Sequence, residues 1–182
     1  MFDNLKADMY VGASVTQWHK RQGKLLHKGR FAGRVYRNNQ LIQEVLGKND
    51  ITTEGKNHLL DVVYDGETAN THWYIGLIDN ASFAALLATD TLASHTGWTE
   101  LIPGTAYTGN RQEWVKLAAS AGSMVTDTDA TFPMLQTKTA YGILVASVAT
   151  GTSGVLMATG AFDATIALQN GDSFKISYTI TY

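Results

Sequence analysis

The sequence predicts a mainly β protein: an antiparallel, jelly-roll-like β-sandwich with one short helix and an extended basic N-terminal arm. Three observations lead there. The closing stretch Ser173–Tyr182 alternates strictly, with Phe174, Ile176, Tyr178, Ile180 and Tyr182 on one face and Ser, Lys, Ser, Thr and Thr on the other. That is the period of a strand with one face on a core. Short apolar runs recur roughly every ten residues between glycine-bearing turns, the rhythm of a sandwich or jelly roll. The run Thr71-His72-Trp73-Tyr74-Ile75-Gly76-Leu77-Ile78-Asp79 is dense in aromatic and β-branched residues without alternation, as expected of a strand buried on both faces.

Taken in order, residues 1–29 show no steady period and read as an extended docking arm, with residues 30–182 as the sandwich domain. Within the arm, Trp18-His19-Lys20-Arg21-Gln22-Gly23-Lys24 is basic and punctuated by glycine. Phe31–Arg37, Asn38-Asn39 and Gln40–Val45 form a hairpin pattern, Asn-Asn supplying the turn and Lys48-Asn49-Asp50 closing it. Thr52 or Thr53 caps a short helix whose apolar face is Leu59, Leu60, Val62 and Val63, and Asp65-Gly66 ends it. Thr71–Asp79 is then expected at the centre of a sheet. Ala81–Ala88 reads either as a short helix or as a loop pinned by Phe83 and Leu86. Trp98–Ile102 is a strand broken by Pro103-Gly104, and Arg111–Ala119 is another. Gly122-Ser123 and Asp127–Asp129 are turns. Thr131–Leu135, Ala140–Val148, Val155–Phe162, Thr165–Leu168 and the final strand complete the set.

Hydrophobic residues make up 45% of the chain and charged residues only 16%, against roughly 25% in an ordinary domain. Two explanations fit: a surface largely covered in an assembly, or a β-protein whose polarity is uncharged Thr, Ser and Asn. Charge is also unevenly placed. Residues 1–48 hold nine Lys/Arg against three acids, and residues 49–182 five against thirteen, giving a basic start on an acidic body. The absence of cysteine excludes disulfide frameworks and thiolate metal sites. Met1-Phe2-Asp3-Asn4 lacks the basic start of a signal peptide, and no apolar run approaches a membrane span, so no membrane partner is expected.

No constellation has the form of a reaction site, so the sequence reads as a non-enzyme without cofactors. The five histidines are scattered. His58 and Asp61 share a helix face but lack a metal-binding spacing, and no metal is expected. Glu100 and Glu113, beside Trp98 and Trp114, are the best carboxylate pair for glycoside hydrolysis. The stronger reading is ordinary strand alternation, a Glu on the wet face beside a core Trp. Gly151-Thr152-Ser153-Gly154 is a turn, not a nucleophile elbow. Trp73, Trp98 and Trp114 with Tyr74, Tyr107 and Tyr141 can be drawn as a sugar-stacking platform or as core. The arm, with one Trp and no interleaved aromatics, is read as a protein-docking element with no nucleic-acid partner.

The series Asn57-His58-Leu59-Leu60-Asp61-Val62-Val63, Trp73-Tyr74-Ile75-Gly76-Leu77, Thr89–Trp98, Asn110-Arg111-Gln112-Glu113-Trp114 and Gly171–Thr179 resembles a family of small tailed-bacteriophage virion structural proteins. The resemblance spans about Arg30 to the end and leaves out the arm. It implies a head or tail structural component carried on the virion and assembled in the host cytoplasm. Within that class, chain size, the lack of shaft repeats and the basic arm on an acidic body favour a capsid decoration (cement) protein. Such a protein would bridge major capsid protein subunits as a homo-oligomer, dimer or trimer. Its docking residues would be Trp18, Lys20, Arg21 and Lys24, with Trp18 as the anchor and the cations meeting acidic shell residues. The alternative is a tail or head-fibre module binding a host surface glycan.

Overall fold

The structure is a computed structural model that describes residues 28–181. The arm residues Trp18, Lys20, Arg21 and Lys24 therefore lie outside the described residues, as does Tyr182. The mainly β expectation holds. Eleven strands form one antiparallel, curled, sandwich-like sheet. In chain order they are β1 (Lys28–Arg37), β2 (Gln40–Ile51), β3 (Tyr74–Asp79), β4 (Thr99–Glu100), β5 (Gln112–Glu113), β6 (Val115–Lys116), β7 (Ser123–Thr128), β8 (Ala130–Pro133), β9 (Lys138–Ala146), β10 (Leu156–Leu168) and β11 (Ser173–Thr181). The spatial order is β4-β3-β9-β10-β2-β1-β11-β7-β6, with β5 beside β3 and β8 beside β11.

The first hairpin forms as expected. Asn38 and Asn39 sit at φ 49° and 64°, the left-handed pair that a two-residue turn between twisted strands needs. Asn tolerates that region because its short amide can bond locally. Two boundaries differ from expectation. β1 already begins at Lys28, so Lys28 and Gly29 belong to the sheet. Lys48-Asn49-Asp50 does not close the hairpin but carries β2 on to Ile51, because β10 pairs with Gly47–Ile51 from the other side.

β3 is buried on both faces, as its composition predicts, but it is second from one edge of the sheet instead of central. Curling explains how a near-edge strand is covered twice. Its inner face, with Ile75 and Leu77, joins the main core of Phe31, Val35, Tyr107, Phe132, Ile143, Val145, Phe174, Ile176 and Tyr178. Its outer face carries Ile78, which joins Leu92, Trp98, Leu144, Ala146 and Leu156 in a second cluster. The chain between β3 and β4 forms the lid of that second cluster. It is a loop and not a helix, pinned by Phe83 stacked on Tyr141 (3.5 Å between centroids) and by partly buried Leu86. Asp90 fixes it by accepting from Trp98 Nε1 (2.8 Å) and from the Leu87 N–H (2.9 Å).

The strand expected over Arg111–Ala119 is split into β5 and β6. Between them, the Trp114 N–H donates to the carbonyl of Trp73 (2.7 Å), so the chain leaves β3 and crosses to β7. The Asp127–Asp129 segment is mostly strand: Asp127 and Thr128 end β7, and only Asp129 interrupts. Tertiary pairing overrides the low strand propensity of aspartate there. On β11, Phe174, Ile176 and Tyr178 are buried as the alternation requires.

Thr52 caps the helix α1 (Thr53–Leu60), its hydroxyl accepting from the Gly55 N–H at 3.0 Å. A π turn (Asp61–Asp65) follows, ended by Gly66 at φ 76°. The expected apolar face holds in part. Leu59 packs against the main core and Val62 is half-buried, but the helix's buried residues are Gly55 and His58, while Leu60 and Val63 are 55% and 66% exposed. The reason is close approach. At Gly55 a β-carbon would collide with the backbone of Met157 on β10, so this stripe faces the sheet and the next one faces out.

Candidate interaction surface

The polar residues that sequence reasoning singled out are occupied in holding the fold. Arg111 forms a two-pronged pair with Glu100, Nε to Oε1 at 2.9 Å and Nη2 to Oε2 at 2.7 Å. Its Nη1 donates to the carbonyls of Val148 (3.1 Å) and Gly151 (3.0 Å). One guanidinium thus ties β4, the approach to β5 and the β9–β10 hairpin loop together. A carboxylate held this way is not poised as a proton donor or nucleophile. Glu113, the other half of the suggested carboxylate pair, is bonded to His72 Nδ1 at 2.7 Å.

His58 is buried and edge-on to Trp73 (5.8 Å), with Nδ1 at 3.0 Å from Glu67 and Nε2 at 3.0 Å from Asn70 Nδ2. It anchors the loop after the π turn, and Asp61 takes no part. No cluster of three or more metal-ligating side chains occurs among the described residues. Of the two readings of the tryptophans, the core one holds. Trp73, Trp98 and Trp114 are 8%, 2% and 3% exposed and Tyr107 is fully buried, so their ring faces serve the core.

Two further sites carry displaced acidities with plain causes. Asp172 sits 1% exposed under Arg37, which donates to both its oxygens at 2.7 and 2.8 Å. That hydrogen bonding holds its carboxyl below the ordinary range against the opposing pull of burial, helped by the Gln169 N–H. Burial pushes the Tyr107 phenol up, with the Glu100 carboxylate adding to it, and its hydroxyl has no hydrogen-bond partner. Both groups are structural.

The fold leaves several large apolar side chains uncovered. Leu60, Val63 and Tyr64 (82% exposed) form the outer stripe of α1 and its π turn. On the β1–β2 hairpin, Leu41, Ile42 and Leu46 face solvent. Among the described residues the pairing of β10 with β2 ends at Phe162 opposite Gly47, so the stretch of β2 before Gly47 has no ladder partner on that side. One contact caps that open edge: Asp163 Oδ1 accepts from the Leu46 N–H at 3.1 Å. Along the edge strand β6, Val115 and Leu117 are exposed, and the Leu117 N–H bonds the carbonyl of exposed Val125.

These surface residues are the ones sequence reasoning missed. The signal was present at the helix, where Gly55, His58, Leu59 and Val62 make a stripe at i, i+3, i+4, i+7, but a histidine and a glycine do not announce a core face. No family model and no curated protein matches this chain.

Proposed function

We propose that this protein is a bacteriophage virion structural protein, a capsid decoration (cement) protein that binds by surface area instead of chemistry. The observation that carries this reading is the pattern of exposure. Large apolar side chains stand on the helix, the first hairpin and the β6 edge, while the conspicuous polar clusters are internally paired. Apolar side chains left outside a core of this size favour burial against neighbours. Each copy bridges major capsid protein subunits, and many modest contacts sum by multivalency into resistance to internal pressure. The virion assignment itself rests on the sequence resemblance. The arm, with Trp18, Lys20, Arg21 and Lys24, supplies the docking anchor and its charge.

The test is on assembled particles. Mild chaotrope should strip the protein and leave shells that burst at lower temperature, with host adsorption intact. Loss of adsorption with unchanged shell strength identifies a glycan-binding fibre module instead. A chain lacking residues 1–27 should fail to rebind stripped shells; undiminished rebinding removes the arm from the mechanism.

A further inference from the structure

We infer that the outer stripe of α1 and its π turn is the docking surface for the chain's own basic segment Trp18–Lys24, closed within one molecule. The inference concerns the isolated subunit and does not depend on the virion reading. Three observations meet here. First, the stripe is apolar and unpartnered: Leu60, Val63 and Tyr64 are 55%, 66% and 82% exposed. A π turn extends it, the kind of helix irregularity that recurs at functional sites. Second, its rim is acidic. Asp61 and Asp65, on the π turn next to Leu60, Val63 and Tyr64, are exposed, with Lys56 the cation on the same helix. The segment Trp18-His19-Lys20-Arg21-Gln22-Gly23-Lys24 carries the opposite charge and one large aromatic. An aromatic anchor flanked by cations suits an apolar stripe flanked by carboxylates.

Third, the strand directions deliver the segment to this place. β1 and β2 are antiparallel with Gly29 opposite Asn49, so the chain before Lys28 leaves the sheet at the end where β2 runs into Thr52 and the helix. Crossing from Gly29 to its partner Asn49, the path to Leu60 is about 10 Å of strand and about 12 Å of helix, at ~3.3 Å per strand residue and ~1.5 Å per helix residue. Residues 18–27, extended, span about 33 Å. A segment of that length reaches the stripe when extended, and being covalently joined it meets its own surface at a concentration that dilution does not change.

The experiment uses the full chain labelled with 5-fluorotryptophan, giving four ¹⁹F resonances, with Trp18 assigned by its loss in W18F. A soluble gadolinium chelate reports solvent access. The Trp18 signal should be broadened several-fold less in the folded protein than in urea, and dilution a hundredfold should not change this. Y64A and the double change D61K/D65K should each restore urea-like broadening. So should K20E/R21E/K24E, which alters the segment and changes none of the described residues. Unchanged resonances from buried Trp73, Trp98 and Trp114 certify that each variant is folded. The inference falls if Trp18 is as accessible in the folded protein as in urea, or if protection survives all three variants. It falls also if protection disappears on dilution, which assigns the surface to a second copy.

Discussion

Replacing Arg111 with methionine isolates the fastener on which the β3 edge depends. The side chains of Arg111 and Glu100 are 5% and 16% exposed. R111M keeps the apolar stem but leaves the Glu100 carboxylate buried without a counter-charge and frees the carbonyls of Val148 and Gly151. Removing one member of a buried pair costs about 3–5 kcal/mol, most of it the stranded charge. Glu100 retains some access to water and Gly151 lies in an exposed turn, so we expect the lower end, about 3 kcal/mol. For a domain of this size that is a fall of roughly 6–12 °C in Tm. Urea unfolding followed by tryptophan fluorescence and far-UV circular dichroism measures it, with coincident transitions establishing two-state behaviour. E100Q/R111M removes the stranded charge and should recover at least ~1 kcal/mol relative to the sum of the single changes. If R111M stays within about 0.5 kcal/mol of the wild type, or the double change is additive, the clamp is not what holds these segments.

Other consequences are quicker to check. Because Asp172 is held below the ordinary carboxylate range by Arg37, its contribution is present above the unfolded value of about 4 and is lost as pH falls through the folded one. The stability advantage of the wild type over D172N should therefore be flat near neutrality and shrink below about pH 4 in acid titrations of the urea midpoint. Tyr107→Phe deletes a buried hydroxyl with no partner and should be neutral or mildly stabilising, whereas Tyr178→Phe, which loses its 2.9 Å bond from Asn49 Nδ2, should cost about 1 kcal/mol. Reversal of that order in thermal unfolding would contradict both assignments. Gly142→Ala places a β-carbon against the Gly160 carbonyl on the adjoining strand, so β9 and β10 must part. We expect a loss of at least ~3 kcal/mol or no folded protein, read as loss of the dispersed amide spectrum.

Several parts of this fold were legible because local chemistry and tertiary structure agree. The Asn38-Asn39 turn, the Thr52 cap and the β11 alternation each follow from one residue type meeting one backbone requirement. The double burial of β3 was legible from composition, but its place near an edge was not. Whether a strand is covered by another sheet or by a loop such as Asn80–Trp98 depends on contacts distant in sequence. β7 escaped notice because Asp127 and Thr128 read as turn residues, and pairing with β11 and β6 decides them instead. The inverted helix face escaped for a related reason. Apolarity alone chose Leu60 and Val63 for the core, whereas steric fit against β10 chose Gly55.

That inversion bears on what the surface is for. A helix whose fully buried residues are a glycine and a histidine, with Leu59 only partly covered, gains modestly from hydrophobic burial, and Thr52, Glu54 and His58 secure it by polar bonds as well. The Thr52 hydroxyl bonds the Leu156 carbonyl, and Glu54 Oε2 accepts from the Leu92 and Leu156 N–H groups at 3.2 and 2.6 Å. Exchanging Leu60 and Val63 for polar residues would therefore leave these attachments intact. The same holds on the hairpin, where Ile42 and Leu46 sit outside a pair of strands already joined by their backbone ladder and by Arg34–Glu44. Apolar residues this exposed add little to their own fold and are available to be covered. A double change such as L60S/V63S should thus leave the urea midpoint of the isolated chain nearly unmoved while weakening whichever contact covers the stripe. A large loss of stability on that change would return these residues to the core and remove the physical basis for reading this face as a docking surface.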